Sequence, residues 1–161
     1  MDYINQHLLS IIVFLPAVLG ALLAVIPTGT DAGKQTVKVA ALAFSLVVFV
    51  FSMGLYAGYD VTAGGFQFME EAAWIPDLGI SYRLGMDGIS RPLILLTTFL
   101  TPIVILGSWT AVDEKLRSYY AFILFLETGM LGAFVAMDPI LFYLFWEAML
   151  IPMYLLIGIW G

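Results

Sequence analysis

The sequence contains no cysteine and a single histidine, His7, among its 161 residues. Without thiolates the chain cannot form a disulfide or a cysteine-ligated iron–sulfur site, and one imidazole is too few for a histidine-based metal or haem cluster. Six Lys and Arg residues against twelve Asp and Glu residues give a net charge of -6. This balance excludes the basic surface that nucleic-acid binding requires. We therefore expect no cofactor on this chain and no nucleic-acid partner.

Charged residues of either sign are also scarce. They make up 11% of the chain, hydrophobic residues make up 62%, and the mean hydropathy is +1.01. Soluble domains contain about 25% charged residues. The apolar residues form runs of about twenty, which is the length that a helix needs to cross a bilayer. The composition predicts an all-α, polytopic transmembrane protein whose surroundings are the lipid bilayer.

Hydropathy and turn residues predict one membrane domain over residues 1–161, with five spanning helices. We expect these helices at residues 8–26, 37–56, 90–109, 117–137 and 139–160. Asp138 suits the N-cap of the last helix, and Pro139 suits its first position. Because the sequence stops directly after an apolar helix, we expect it to be the N-terminal part of a longer polypeptide.

The connection at residues 59–89 is too long for a simple turn. It mixes aromatic and acidic residues, and the segment ISYRL at 80–84 alternates as a short strand does. The pattern favours a small hairpin-like or amphipathic segment on the outer membrane face. An irregular loop with interfacial aromatic residues explains the same composition equally well.

The positions of Lys and Arg predict the orientation. Four of the six lie on alternate connections, the first and the third, at Lys34, Lys38, Lys115 and Arg117. The other two, Arg83 and Arg91, lie on the second connection. Cytoplasmic connections carry an excess of basic residues, so the pattern places the N-terminus outside.

Glu147 lies within an otherwise uncharged apolar run at residues 139–161. It follows Asp138 by nine residues, or about 13.5 Å of helix, which is nearly half of a hydrocarbon core of about 30 Å. A charge at that depth costs about 2.5–3.5 kcal/mol on insertion scales, so such residues usually have a function. We interpret Glu147 as a proton-relay residue, supported by Tyr143, Tyr154 and the helix-interrupting Pro152. A purely structural hydrogen bond to a neighbouring helix is the alternative.

Glu127 is the second candidate for the proton relay. Glu127 and Glu147 lie eleven and nine residues from the turn at Asp138, so their depths in the membrane are similar. Gly129 and Gly132 form a small-residue face, on which we also place Glu127. A proton-carrying role and a helix-packing hydrogen bond are equally compatible with Glu127, and the spacing does not tell whether the two carboxyls face each other.

Three segments resemble a known family. They are LGMDGISRPLILLTTFLTP at 84–102, LETGMLGAF at 126–134 and FYLFWEAMLIPMYLLIGIWG at 142–161. They are similar to the antiporter-like membrane subunits of bacterial respiratory complex I, the proton-pumping NADH:quinone oxidoreductase, and among these to subunit M. The resemblance covers nearly the whole chain and is strongest from residue 84 onward.

The resemblance implies a function for the full-length protein. In the family, the Glu matching Glu147 translocates protons beside a Lys on a later helix, within two inverted repeats of helices. The resemblance further implies contacts with other membrane-arm subunits in the bacterial plasma membrane. NADH, FMN, iron–sulfur clusters and quinone are then expected on other subunits of the complex. This chain would hold only the first two helices of the first repeat, so it would not pump by itself.

Two other functions fit the same residues. One is a subunit of an Mrp-type cation/proton antiporter, in which the same Glu serves sodium exchange. The other is a non-transporting membrane scaffold protein with a buried polar contact. The region around the later Lys would distinguish the first alternative, and substitution of Glu147 would distinguish the second.

Overall fold

The computed structural model describes residues 7–161; the N-terminus, predicted to lie outside, falls among residues 1–6 and thus outside the described residues. The described part forms five helices and a two-stranded antiparallel hairpin. The helices are α1 Leu8–Ala24, α2 Asp31–Gly58, α3 Ser90–Gly107, α4 Leu116–Val135 and α5 Pro139–Trp160. The strands are β1 Gln67–Ile75 and β2 Ile80–Met86.

The predicted all-α fold with five helices is confirmed. By length and composition, α2, α3, α4 and α5 are long and apolar enough to cross a membrane. α1 is apolar but has 17 described residues, or about 26 Å of helix, at the short end of the spanning range. Four of the five predicted spans are thus long enough in the structure, and the crossing of the membrane by α1 stays a prediction.

α2 begins six residues before its predicted start. The Thr30 side chain accepts a hydrogen bond from the Gly33 amide at 3.1 Å and caps the helix there. Hydropathy locates only the apolar part of a helix, whereas the cap determines where the helical backbone starts. The other predicted helix ends lie within two residues of the observed ends.

α4 lies at the centre of the bundle and contacts each of the other four helices. α5 packs mainly against α4 and β2. The α4–α5 contact is close because Gly129 and Gly132 face α5: a Cβ atom at Gly129 would collide with Met149, and one at Gly132 with the ring of Phe145. Small residues allow such close approach between membrane helices.

The hairpin prediction is confirmed, and the irregular-loop alternative is wrong. β1 and β2 pair in antiparallel register, with Glu71 opposite Arg83. A short 3-10 turn and Gly79, at φ +67°, connect them. This left-handed conformation costs glycine little because glycine has no Cβ.

Glu70 attaches the hairpin to the first turns of α1. Its side chain is 7% exposed and accepts hydrogen bonds from the Ser10 amide, at 3.1 Å, and from the Ser10 hydroxyl. The imidazole of His7 is 3.7 Å away, and the Tyr82 hydroxyl lies 2.6 Å from that of Ser10. Burial raises the pKa of Tyr82, because desolvation disfavours its anion. This polar cluster fixes β1 and β2 over α1.

β2 also holds the turn between α4 and α5. The Met137 amide donates to the Arg83 carbonyl at 2.9 Å, and the Ser81 amide donates to Asp138 at 3.2 Å. Asp138 further accepts from the amide of Ile140 at 2.9 Å, which confirms its predicted role as the N-cap of α5. The Ser81 amide, followed by those of α5, lowers the pKa of Asp138. The hairpin therefore fixes the ends of α4 and α5 that meet at Asp138.

The opposite end of the bundle carries the basic residues of the first and third connections. Lys38 donates to the Trp109 carbonyl at 2.6 Å, and Lys34 lies 3.5 Å from Asp113. The indole of Trp160 donates to the Glu114 carbonyl at 3.0 Å and brings the end of α5 to the same surface.

Candidate membrane carboxylate site

The helix bounds place Glu127 and Glu147 at equal distances from the turn that joins α4 and α5. Glu127 lies eight residues before the end of α4, and Glu147 lies eight residues after the start of α5. Eight residues correspond to about 12 Å of helix. Each carboxyl is therefore on the middle part of its helix, at similar depth below the hairpin.

Glu147 lies on the open face of α5. The helix buries only Leu141, Phe145 and Pro152, and Glu147 is exposed. Tyr154, seven residues further on and thus on the same helical face, is 76% exposed. The face of α5 that carries Glu147 points away from the helices described here.

Two of the predicted supporting residues lie close to Glu147 along α5. The Tyr143 side chain, one turn earlier, interacts with the Glu147 carboxyl. Pro152 is buried and has no amide hydrogen, so it cannot donate to the carbonyl of Ala148, the residue next to Glu147. The face around Glu147 thus offers a phenol and a backbone acceptor, although the roles of these groups stay predictions.

Glu127 has the opposite environment. Its side chain is 0% exposed, and it lies against Thr101 of α3. Neither carboxyl oxygen has a hydrogen-bond partner among the described residues 7–161. The prediction that Glu127 shares the small-residue face is wrong: Gly129 and Gly132 contact α5, whereas Glu127 lies on the side of α4 that meets α3.

The structure therefore does not bring the two carboxyls together. Glu127 is buried and faces Thr101 of α3, whereas Glu147 is exposed on α5. Within the described part of the chain, each carboxyl has its own surroundings. In this arrangement the two carboxyls do not share a proton directly.

Thr101 of α3 is not among the residues that the sequence singles out. The Thr101 hydroxyl donates to the Thr97 carbonyl, at 3.1 Å, but its side chain also faces Glu127. The available signal was the spacing of four between Thr97 and Thr101, which puts both on one helical face. That spacing could not show which helix the face meets.

Together these features define a multi-pass α-helical membrane protein with two carboxyls in the middle of neighbouring helices. Residues 8–137 match the profile of the family described as NADH-ubiquinone oxidoreductase chain 4, amino terminus. The chain therefore belongs to this family, and the resemblance seen in the sequence is confirmed. Glu127 lies within the matched residues, and Glu147 lies just beyond them.

Named relatives support the assignment to this family. The chain is 48% identical, over 157 residues, to NADH-quinone oxidoreductase subunit M of Rhodobacter capsulatus, covering 97% of this chain and 30% of that protein. It is 39% identical, over 155 residues, to NAD(P)H-quinone oxidoreductase chain 4 of Prochlorococcus marinus strain NATL2A, covering 95% of this chain and 28% of that one. The chain thus spans less than a third of the length of these relatives.

Solved structures share the fold. A chain of respiratory complex I from Thermus thermophilus superimposes with a TM-score of 0.74 at 29% identity, covering 95% of this chain and 29% of that chain. A chain of the membrane-bound sulfane sulfur reductase, an archaeal respiratory membrane complex, gives a TM-score of 0.72 at 21% identity, covering 96% and 23% of the two chains. The second likeness concerns the fold alone.

Proposed function

We propose that this chain forms part of a proton-translocating subunit in the membrane arm of an NADH:quinone oxidoreductase. Its family and its 48% identity to a subunit M support this assignment. The observation that carries the proton-transfer role is Glu147, a lone carboxyl in the middle of α5 on the open face of that helix. A carboxyl in this position is costly in lipid unless it has a partner.

In this proposal Glu147 takes up and releases a proton inside the membrane. Named relatives are more than three times longer than this chain, so further helices are available to cover the α5 face. The family pattern provides a Lys on one of them. A cation near Glu147 would favour the charged carboxylate, and its removal would favour the neutral acid. Such alternation is what a proton relay requires.

The redox chemistry belongs to other subunits in this proposal. The chain has no cysteine for iron–sulfur ligation and one histidine. NADH, FMN, iron–sulfur clusters and quinone are therefore assigned to the partners in the complex, and this chain contributes proton movement. It contributes to an enzyme without carrying a redox site.

A transport measurement on the assembled complex tests the function. The complex containing the full-length subunit is reconstituted into vesicles, and NADH and a quinone are added. We expect protons to accumulate on one side, a protonophore to abolish the gradient, and removal of sodium to have no effect. Sodium-dependent proton exchange without NADH would instead assign the chain to the Mrp-type antiporters, and the absence of any transport would support the scaffold alternative.

We also propose that the hairpin lies outside and the basic end lies in the cytoplasm of a bacterial cell. Four of the six basic residues belong to the connections at the end opposite the hairpin, as the positive-inside pattern requires. Because residues 1–161 contain no cysteine, an Ala63→Cys variant of the full-length subunit, compared with the unsubstituted subunit, reports the side on which the hairpin lies. An impermeant thiol reagent should label it in intact spheroplasts; labelling only after lysis would reverse the orientation.

A further inference from the structure

The proposed relay at Glu147 does not explain why the carboxyl of Glu127 is buried without hydrogen-bond partners among the described residues. Its side chain is 0% exposed, and neither carboxyl oxygen has a hydrogen-bond partner within residues 7–161. Buried polar atoms almost always have a partner in protein or ordered water. The requirement is stricter in a membrane, where lipid offers no hydrogen bonds. The described residues therefore do not provide the hydrogen bonds that the buried carboxyl of Glu127 requires, and Thr101 is the polar side chain that faces it.

Thr101 is the polar side chain that faces Glu127, but its one proton is already used. The Thr101 hydroxyl donates to the Thr97 carbonyl at 3.1 Å, so it can only accept a further hydrogen bond. It therefore cannot donate to a carboxylate, and if it accepts from a neutral Glu127 the carbonyl oxygen of that acid still has no donor. A molecule that both donates and accepts would satisfy both groups, and water is the smallest such molecule.

Thr97 and Thr101 also border free space. Both line a groove of about 470 Å³ between α3, α4 and the end of α5. A water molecule takes about 30 Å³ of liquid volume, so the groove is large enough for several. The rest of the lining is mainly apolar, and Thr101 is the lining residue whose side chain faces Glu127.

We propose that Glu127, Thr101 and Thr97 form a water-binding site between α3 and α4, at which Glu127 exchanges its proton. The exchange takes place on the α3 side of α4, away from Gly129, Gly132 and α5. It is thus separate from Glu147, which is exposed on the open face of α5. Only the functional part of this inference rests on the proposed proton-pumping function; the water site itself does not.

An electron cryomicroscopy map of the intact complex, at a resolution that shows ordered water, tests the site directly. We expect density within about 3 Å of the Glu127 carboxyl and of the Thr101 hydroxyl. In a Thr101→Val variant, which keeps the shape and removes the hydroxyl, this density should disappear. A direct bond between Glu127 and a later segment of the protein, or dry apolar packing around it, would overturn the proposal.

Thr98→Val is the matched control. Thr98 is also buried in α3, but its hydroxyl donates to the Ile94 and Leu95 carbonyls and lies 2.6 Å from that of Ser52, on the side of α2. The variant removes a buried hydroxyl without touching the Glu127 site. Its map should therefore retain the density at Glu127, and loss of that density in both variants would contradict the assignment to Thr101.

The functional measurement uses the same variants. Thr101→Val should slow NADH-driven proton pumping by roughly three- to tenfold, the effect of losing one hydrogen bond, and Thr101→Ser should restore it. Full pumping in an assembled Thr101→Val complex would overturn the exchange role. The two proposals fail separately: wild-type pumping after substitution of Glu147 contradicts the relay, whereas a map without water at Glu127 contradicts this site.

Discussion

Replacing Glu147 with glutamine in the full-length protein, within its assembled complex, is expected to reduce NADH-driven proton pumping by at least about tenfold. Glutamine keeps the size of the side chain and its capacity for hydrogen bonding, but it cannot carry a proton. Assembly should be preserved because Glu147 is exposed and outside the packed face of α5. The measurements are vesicle acidification, quinone reduction and a native gel of the complex.

Two substitutions of the same kind serve as controls. Glu71→Gln changes an exposed carboxyl of the hairpin, paired with Arg83, and should pump as the wild type does. Glu127→Gln should have a smaller effect than Glu147→Gln, because an amide can still hold the proposed water beside Thr101 although it cannot exchange a proton. Wild-type pumping in an assembled Glu147→Gln complex would remove the basis of the relay. Equally severe losses at Glu127 and Glu147 would indicate one coupled site, contrary to their separation here.

The helices and the hairpin could be predicted because their signals are local. An apolar run of bilayer length specifies a helix in lipid whatever its neighbours are. Asp138 followed by Pro139 specifies a helix start, and the structure begins α5 at that residue. Alternation at residues 80–84 specified a strand, which the structure extends to Met86. None of these inferences required knowledge of which elements are neighbours.

The surroundings of the two carboxyls could not be predicted in this way. Helical periodicity puts Glu127 and Gly129 on different sides of α4, which already argues against the predicted shared face, but it does not show which helix meets each side. The depth of Glu147 followed from counting residues, whereas its exposure depends on α5 contacting the bundle through one stripe only. The link between Glu70 and Ser10 joins residues sixty positions apart. Contacts of this kind depend on how the whole chain packs, so local sequence patterns do not predict them.

The start of α2 shows a different limit of prediction from hydropathy. The segment at residues 31–36 contains Asp31, Lys34, Gln35 and Thr36, so hydropathy assigns it to a connection. Thr30 nevertheless caps the helix, and α2 runs for 28 residues, or about 42 Å. Such a helix exceeds the hydrocarbon thickness of about 30 Å, so its polar first turns lie beyond the apolar layer. A capping signal and a hydropathy signal can therefore give different ends for one helix.

Replacing Gly132 with leucine is expected to prevent most of the full-length subunit from entering the complex. The Cβ atom alone would overlap the Phe145 ring of α5, and leucine adds three further carbons. Overpacking a tight contact costs typically about 1–3 kcal/mol, and occasionally more. Because α5 is held mainly by α4 and β2, this helix should detach. The measurement is the amount of subunit in the assembled complex, from a native gel and an immunoblot.

Gly54→Leu is the control for the change of residue type. Gly54 lies within α2, and a Cβ atom there would meet nothing within 4 Å. Leucine also has a higher helix propensity than glycine, by up to about 1 kcal/mol, so this variant should assemble as the wild type does. A second variant, Gly132→Leu with Phe145→Ala, removes the ring and should restore part of the assembly. If Gly132→Leu assembled normally, the close packing of α4 on α5 would not be what positions Glu147.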